Sequence, residues 1–298
     1  MSDSQSSAVG SGSTDELGGD DVAGSPTVRR RRLARKLREL REAAGLTSDA
    51  ATKAAGFSRG KLTRMERNEW KLPSVRDIEK LLDVYGVTDP GERQAYVTLT
   101  EQSRLKGWWV GYSDVLGQGA YVGLETEASS IRAVETLLIP GILQTESYAR
   151  AVIRGHGVTD EETVERAVEA RMIRKQILAR PDAPKLWVVM DEAALRKVTP
   201  SLADQLEYLL NVQRPNLQIQ ILPNRLGPHT VMPGGFTILD FPEDPSCVYL
   251  ETSGINTLFL EEADEIRQHE LMYDYAQASA LSVDDSASFI AEVLESVT

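Results

Sequence analysis

The stretch from Thr47 to Asn68 constrains this chain more than any other. Two short helical patterns meet at Gly56, and each is preceded by a hydroxyl residue suited to capping, Thr47 before the first and Ser58 before the second. Gly56 stands where the first helix must stop and the chain must turn sharply, which calls for positive φ. Phe57 follows it and anchors the turn in a small core. In the second segment Leu62 and Met65 point inward beside Ala55. Arg59, Gly60, Lys61, Thr63, Arg64 and Arg67 are left on the opposite face. A short helix with several long cations on its leading face is shaped to enter a DNA major groove and bring donors to base edges and phosphates. The competing reading is an ordinary helical hairpin with a solvated charged face.

The flanks favour the first reading. Upstream, residues 28–44 repeat Leu33, Leu37 and Leu40 at helical spacing. Downstream, Pro73 precedes a pattern with Val75, Ile78, Leu81, Leu82 and Val84 on one side. Four short helices thus fall within about sixty residues, as in one compact unit.

The segment from Leu37 through Val87 resembles the helix-turn-helix domain shared with phage repressors, the Xre family, and so implies a lambda-repressor-like all-α domain of four to five helices. Arg41, Gly45-Leu46-Thr47, Ala50-Ala51, Gly56-Phe57-Ser58, Leu62, Met65-Glu66-Arg67, Pro73 and Leu81-Leu82 carry the likeness. It implies DNA contacts at Ser58, Arg59, Gly60, Lys61 and Arg64, with Thr47, Ser48 and Thr63 beside them. It also implies an ion pair between Arg41 and Glu66, although Glu66 read alone is equally a free surface carboxylate. Ser48 stands where many relatives carry a glutamine, and Gly60 replaces a residue that often reads a base. Base reading therefore leans on Arg59, Lys61 and Arg64.

Charge is divided along the chain. The 298 residues carry a net charge of −12, yet residues 28–87 hold sixteen Lys+Arg against eight Asp+Glu, a balance of +8. The remainder stands at −20. A basic module on an acidic body presents one face to phosphate, and acidity also favours solubility. The run Arg29-Arg30-Arg31-Arg32 reads as the leading turn of the first helix, as an arm along phosphate, or as a solvated run. Residues 1–27, poor in large apolar side chains, read as a disordered tail.

The lone cysteine, Cys247, excludes an internal disulfide and a cysteine-based zinc cage. The start of the chain lacks a secretory signal, and no apolar run is long enough for a membrane span. A cytoplasmic protein, nucleoid-associated when bound to DNA, is expected.

A helix over residues 89–106 is expected to connect the two parts, and Trp108 and Trp109 to pack the junction rather than bind a ligand. Beyond residue 107, apolar runs at Lys185–Met190, Leu217–Leu222, Phe236–Phe241, Cys247–Leu250 and Thr257–Leu260 alternate with amphipathic helical stretches, with a weaker strand in residues 128–138. This pattern predicts an α+β body with five or six strands. The segments Leu138-Ile139-Pro140-Gly141-Ile142-Leu143-Gln144-Thr145, Tyr148-Ala149-Arg150, Arg171-Met172, Arg174-Gln176 and Met190-Asp191-Glu192-Ala193 resemble the C-terminal domain of WhiJ-type developmental and antitoxin-like regulators of filamentous, spore-forming bacteria. That likeness implies a regulatory domain that binds a small partner protein encoded nearby. The alternative is a small-molecule sensor with Trp187 and the Phe236 strand lining a pocket.

Catalytic chemistry is not apparent. The segment beginning His269-Glu270 has Tyr273 where a second zinc-binding histidine would stand. His229 reads as a loop histidine, and no phosphate-binding glycine pattern is present. No catalytic residue, metal or cofactor is expected. The chain reads as a DNA-binding transcription regulator, a repressor that binds operator duplex as a homodimer.

Overall fold

The computed structural model describes residues 25–70, 72–117, 119–252 and 256–298. The expected disordered tail lies outside the described residues except for Ser25–Thr27, which belong to the first helix and its cap. The Ser25 side chain accepts from the Thr27 amide, and Pro26 occupies the first helical turn.

Five helices form the N-terminal bundle: α1 (Pro26–Ala43), α2 (Ser48–Ala54), α3 (Lys61–Glu66), α4 (Val75–Val84) and α5 (Pro90–Gln102). Leu33, Leu37, Leu62, Met65, Ile78, Leu81 and Leu82 close its core. The helix expected to connect the two parts ends at Gln102 and is a wall of this bundle. Its Tyr96 and Leu99 pack into the same core, so its apolar face is already used.

Next come α6 (Ser113–Leu116), α7 (Ala120–Glu127), β1 (Ser130–Glu135), α8 (Glu146–Gly155), α9 (Glu161–Lys175), β2 (Lys185–Asp191), α10 (Glu192–Arg196), α11 (Ala203–Val212) and β3 (Leu217–Leu222). The chain closes with β4 (Phe236–Asp240), β5 (Cys247–Thr252), β6 (Asn256–Leu260), α12 (Ala263–Ser279) and α13 (Val283–Val297). The described strands form one mixed sheet in the order β3-β2-β1-β4-β5-β6. β1, β2 and β3 run parallel, and the other pairs are antiparallel. The α+β expectation holds, and six strands are present among the described residues.

The central parallel strand β2 is a nearly continuous apolar run over residues 186–190, because helices cover both faces of the sheet there. Ile131, Val188, Ile219 and Leu239 pack with Leu206, Leu209 and Ile290 on one side, while Val134, Val189 and Ile238 pack with Tyr273 and Ala276 on the other. The outer edge of β3 is closed by the corner between α12 and α13. The Leu281 amide donates to the Ile221 carbonyl at 2.9 Å. The Ile221 amide donates to Ser286 Oγ at 3.0 Å. Those bonds satisfy edge groups that would otherwise invite strand pairing.

Helix α1 belongs to both parts. Val28, near its start, packs into the large core of the sheet, whereas Leu33 and Leu37 lie in the core of the bundle. The arginine run is the leading turn of this helix, and its expected phosphate role is corrected by the charge that surrounds it. Arg31 Nε pairs with Glu261 at 2.7 Å, and Arg31 donates to the Ser246 carbonyl at 3.2 Å. Arg32 pairs with Glu243 and Asp244, each at 2.7 Å. Arg29 is buried, and desolvation lowers its pKa despite the nearby Glu127. These arginines hold the two parts together and are not presented to a phosphate backbone.

Trp109 supplies an apolar counterpart to that seam. It is buried, and its ring fills a slot beside Gly107, Gly119 and Gly123 that any added Cβ would enter.

Candidate nucleic-acid interface

The turn between α2 and α3 is built from backbone chemistry. Thr47 Oγ1 accepts from the Ala50 amide at 3.2 Å and caps α2. Gly56, at φ 67°, ends that helix, and the Phe57 amide donates back to the Thr52 carbonyl at 2.9 Å. Ser58 does not cap α3. Its carbonyl accepts from the Lys61 amide at 3.0 Å, forming a tight turn in which Gly60, at φ 75°, takes the cap position. Helix α3 is therefore six residues long, shorter than the span between Ser58 and Asn68 suggests. It ends in the same manner as α2, with Asn68 in the left-handed region at φ 56° and the Glu69 amide donating to the Arg64 carbonyl at 2.8 Å. Asparagine tolerates that conformation better than most residues, which explains its place after the helix.

The orientation of α3 is fixed by Arg41 and Glu66. Arg41 Nε donates to Glu66 Oε1 at 2.7 Å and Nη2 to Oε2 at 3.1 Å, while Nη1 reaches the Leu46 carbonyl at 2.8 Å. With side-chain exposures of 12% and 8%, the pair is largely removed from water, where planar two-point geometry gives directional strength. Its guanidinium pKa is raised, chiefly by the Glu66 hydrogen bond.

The outward residues divide into two groups. Ser58, Arg59 and Arg64 are exposed, and neither arginine has an ion-pair partner among the described residues. Arg64 lies back over the bare backbone of Gly60, where an added Cβ would stand 3.4 Å from its Nη1. Lys61 is engaged: its Nζ pairs with Asp77 at 2.7 Å and rests over the Phe57 ring at 4.4 Å. Ser48 Oγ and Thr63 Oγ1 lie 3.2 Å apart, tying the start of α2 to α3. Residues read from sequence as one donor set thus comprise the exposed Arg59, Arg64 and Ser58, the bare Gly60, and four side chains already engaged within the domain, those of Thr47, Ser48, Lys61 and Thr63.

A second polar concentration, in the C-terminal body, was not singled out from sequence. Between the end of β1, the start of β4, α7 and α9 lies a cavity of about 430 Å³. Arg174 there pairs in two-point fashion with the buried Glu125. Arg171 meets only the neutral Gln144, donating to its Oε1 at 2.8 Å. Glu135 faces the same space, and burial, reinforced by Glu251, pushes its carboxyl up to about 8. Arg171 and Arg174 carried part of the C-terminal likeness, but sequence alone could not bring either near Glu135. Trp187 lines a different cavity, with Tyr273 and Gln277, so it does not share a pocket with Phe236.

His229 Nε2 and Asp191 Oδ2 lie 3.1 Å apart, joining a loop to the end of β2. Among the described residues no group of three or more His, Cys, Asp or Glu could hold a metal ion. No described helix is long and apolar enough to cross a membrane.

Comparison with known families agrees with this division. Residues 32–95 match a family described as a helix-turn-helix domain, which makes the α1–α5 bundle a DNA-binding module of the kind found in transcription regulators. No curated protein and no solved structure matches the chain. Residues 118–292 match a domain of unknown function, DUF5753, and with more than half of its length in that match the chain belongs to the DUF5753 family.

Proposed function

We propose that the chain is a sequence-specific transcription regulator that lays α3 in the major groove of operator DNA. The observation that carries this reading is the pairing of a locked helix with unengaged cations: Arg41 and Glu66 hold α3 in place, and Arg64 on that helix and Arg59 in the turn before it have no ion-pair partner among the described residues. Arg59 and Arg64 contact base edges, while Ser58, Thr47 and the Ser48–Thr63 pair approach the backbone. Lys61 contributes through its position beside Asp77 or exchanges that carboxylate for DNA. A six-residue helix offers few base contacts, so affinity is gained by two-fold repetition. The homodimer then reads half-sites separated by about 10–10.5 bp or a multiple. Repression, as in an antitoxin-like or developmental regulator, and a cytoplasmic, nucleoid-associated location follow from that reading. Footprinting of the full-length protein on its own upstream DNA tests it. A protected pair of half-sites at low ionic strength is expected, and its absence overturns the proposal.

The C-terminal domain, in this reading, receives the signal that adjusts DNA binding. A small partner protein encoded nearby is one source. The cavity between β1 and α9 favours the other, a small-molecule sensor, because its charges are incompletely matched within the chain. The polar seam between α1 and the sheet gives either signal a mechanical route to the DNA-binding module.

A further inference from the structure

The cavity beside β1 is lined by charges of both signs. Arg171 supplies one of the positive charges. It is partly withdrawn from water, its side-chain hydrogen bond goes to an uncharged amide, and desolvation together with the neighbouring Arg174 outweighs the charge of Glu251 and lowers its pKa to about 10. Arg174 is not equivalent, because Glu125 neutralises it and its guanidinium lies over the Tyr121 ring at 4.8 Å.

Glu135 and Glu251 supply the negative charges. Both line the cavity, and neither makes a hydrogen bond or ion pair among the described residues. The two carboxylates repel one another. Gly235 leaves room beside Glu135: a Cβ there would stand 2.6 Å from the Val134 carbonyl and 3.4 Å from Glu135 Oε2. Tyr121 and Tyr249 also line the cavity, tilted at 34° with ring centroids 4.0 Å apart, giving an aromatic wall that suits an organic cation. Partly buried charges are costly unless matched, and Arg171 and Glu135 lack a contact of opposite sign among the described residues, while Glu251 is exposed. A volume of about 430 Å³ accommodates a small metabolite.

We propose that this cavity binds a small aminocarboxylate zwitterion, whose carboxylate meets Arg171 and whose ammonium meets Glu135 and Glu251 against the tyrosine wall. The proposal deepens the sensor reading and rests on it for its regulatory consequence, not for the binding itself. A divalent cation fits less well, since two carboxylates beside two guanidinium groups form a poor cage. Near neutral pH much of Glu135 is protonated in the empty cavity, so arrival of an ammonium group expels a proton.

The test is titration calorimetry of the full-length protein at pH 7, in two buffers of different ionisation enthalpy. The probes are the L-α-amino acids and the unbranched ω-amino acids from glycine to 6-aminohexanoate, with butylamine, butyrate and magnesium as single-charge or metal arms. At least one zwitterion should saturate the protein, and each single-charge arm should bind at least roughly tenfold more weakly, about 1.4 kcal/mol. Arg171→Gln and Glu135→Gln should each weaken that zwitterion by a similar factor, with Glu251→Gln as the alternative should Glu135→Gln not fold. Proton release should vanish in Glu135→Gln. Failure of every zwitterion to saturate, equal binding of butylamine, butyrate or magnesium, or unchanged binding in Arg171→Gln and the folded glutamate variant overturns the proposal. Because DNA is absent, loss of the operator reading would not touch this result. A zwitterion that binds and leaves the footprint unchanged supports the site and removes only the sensor role.

Discussion

Arg32, on the second turn of α1, donates through Nε to Asp244 Oδ2 at 2.8 Å, joining the DNA-binding bundle to the loop between β4 and β5. The Asp244 side chain is only 1% exposed and also accepts from Arg35 at 3.0 Å. Burial is the largest single influence on each arginine and opposes its charge, but the hydrogen bond and charge of Asp244, joined by Glu243 at Arg32 and Glu39 at Arg35, together outweigh it, so both pKa values are raised. Removing the carboxylate leaves the guanidinium groups only their exposed partners, Glu243 and Glu39. Asp244→Ala should therefore destabilise the protein by about 2–4 kcal/mol. Arg35→Ala should cost less, since Arg32 would still hold the buried carboxylate. Urea unfolding of the two single variants and the double variant checks this, with a coupling well above the measurement error expected for the Arg35–Asp244 pair.

The seam has a steric half as well. Gly123 of α7 faces the start of α1, where an added Cβ would lie 2.4 Å from Thr27 Oγ1 and 2.8 Å from Trp109 Cζ2. Neither neighbour can withdraw cheaply: Thr27 is fixed in a capped first turn, and Trp109 is enclosed. Gly123→Ala should lower stability by roughly 1–3 kcal/mol despite its favourable helix propensity. Thermal unfolding compared with that of Gly155→Ala, where nothing lies within 4 Å of the added carbon, separates the steric effect from propensity.

Much of the architecture was legible because its causes are local. The unbroken apolar run over residues 186–190 declares a buried strand, and Gly56 between two helical patterns declares a corner. The role of the arginine run was not legible. Arg31 and Glu261 are separated by 230 positions, and four consecutive arginines look alike from sequence whether they meet phosphate or carboxylate. Lys61 shows the same limit at shorter range, since helical spacing placed it outward but did not disclose Asp77. The cavity was hidden for a related reason: Tyr121, Glu135, Arg171 and Glu251 come from α7, β1, α9 and β5, and only the sheet order brings them together.

Lys61 and Arg64 should separate when DNA binding is measured. Arg64→Ala should reduce affinity for the operator by roughly 1–3 kcal/mol with a smaller loss on random duplex, as for a two-point base contact. An equal loss on both duplexes would make Arg64 a phosphate contact. Lys61→Ala removes a side chain already paired with Asp77 and resting on Phe57. It should lower the unfolding temperature and change operator affinity less than Arg64→Ala does. Fluorescence anisotropy over a salt series, with unfolding curves for both variants, distinguishes the two roles.

Glu135 makes stability depend on pH in a defined direction. Burial raises its pKa from the usual 4.5 to about 8, with Glu251 reinforcing the shift and Arg174 opposing it. Arg171, His156, Tyr121 and Tyr249 complete the titratable and charged surroundings of the cavity. The native protein therefore keeps a proton that the unfolded chain releases. That contribution is fully present below about pH 4.5 and falls away as pH rises through about 8. Above this range the native state carries an unmatched carboxylate. Glu135→Gln should remove the dependence, leaving the variant about as stable as wild type near pH 4.5 and roughly 2 kcal/mol more stable above pH 8, with water in the open cavity moderating the gain. Urea unfolding of both proteins at several pH values checks the sign, and a difference that grows toward low pH would show that Glu135 is stabilised as the anion.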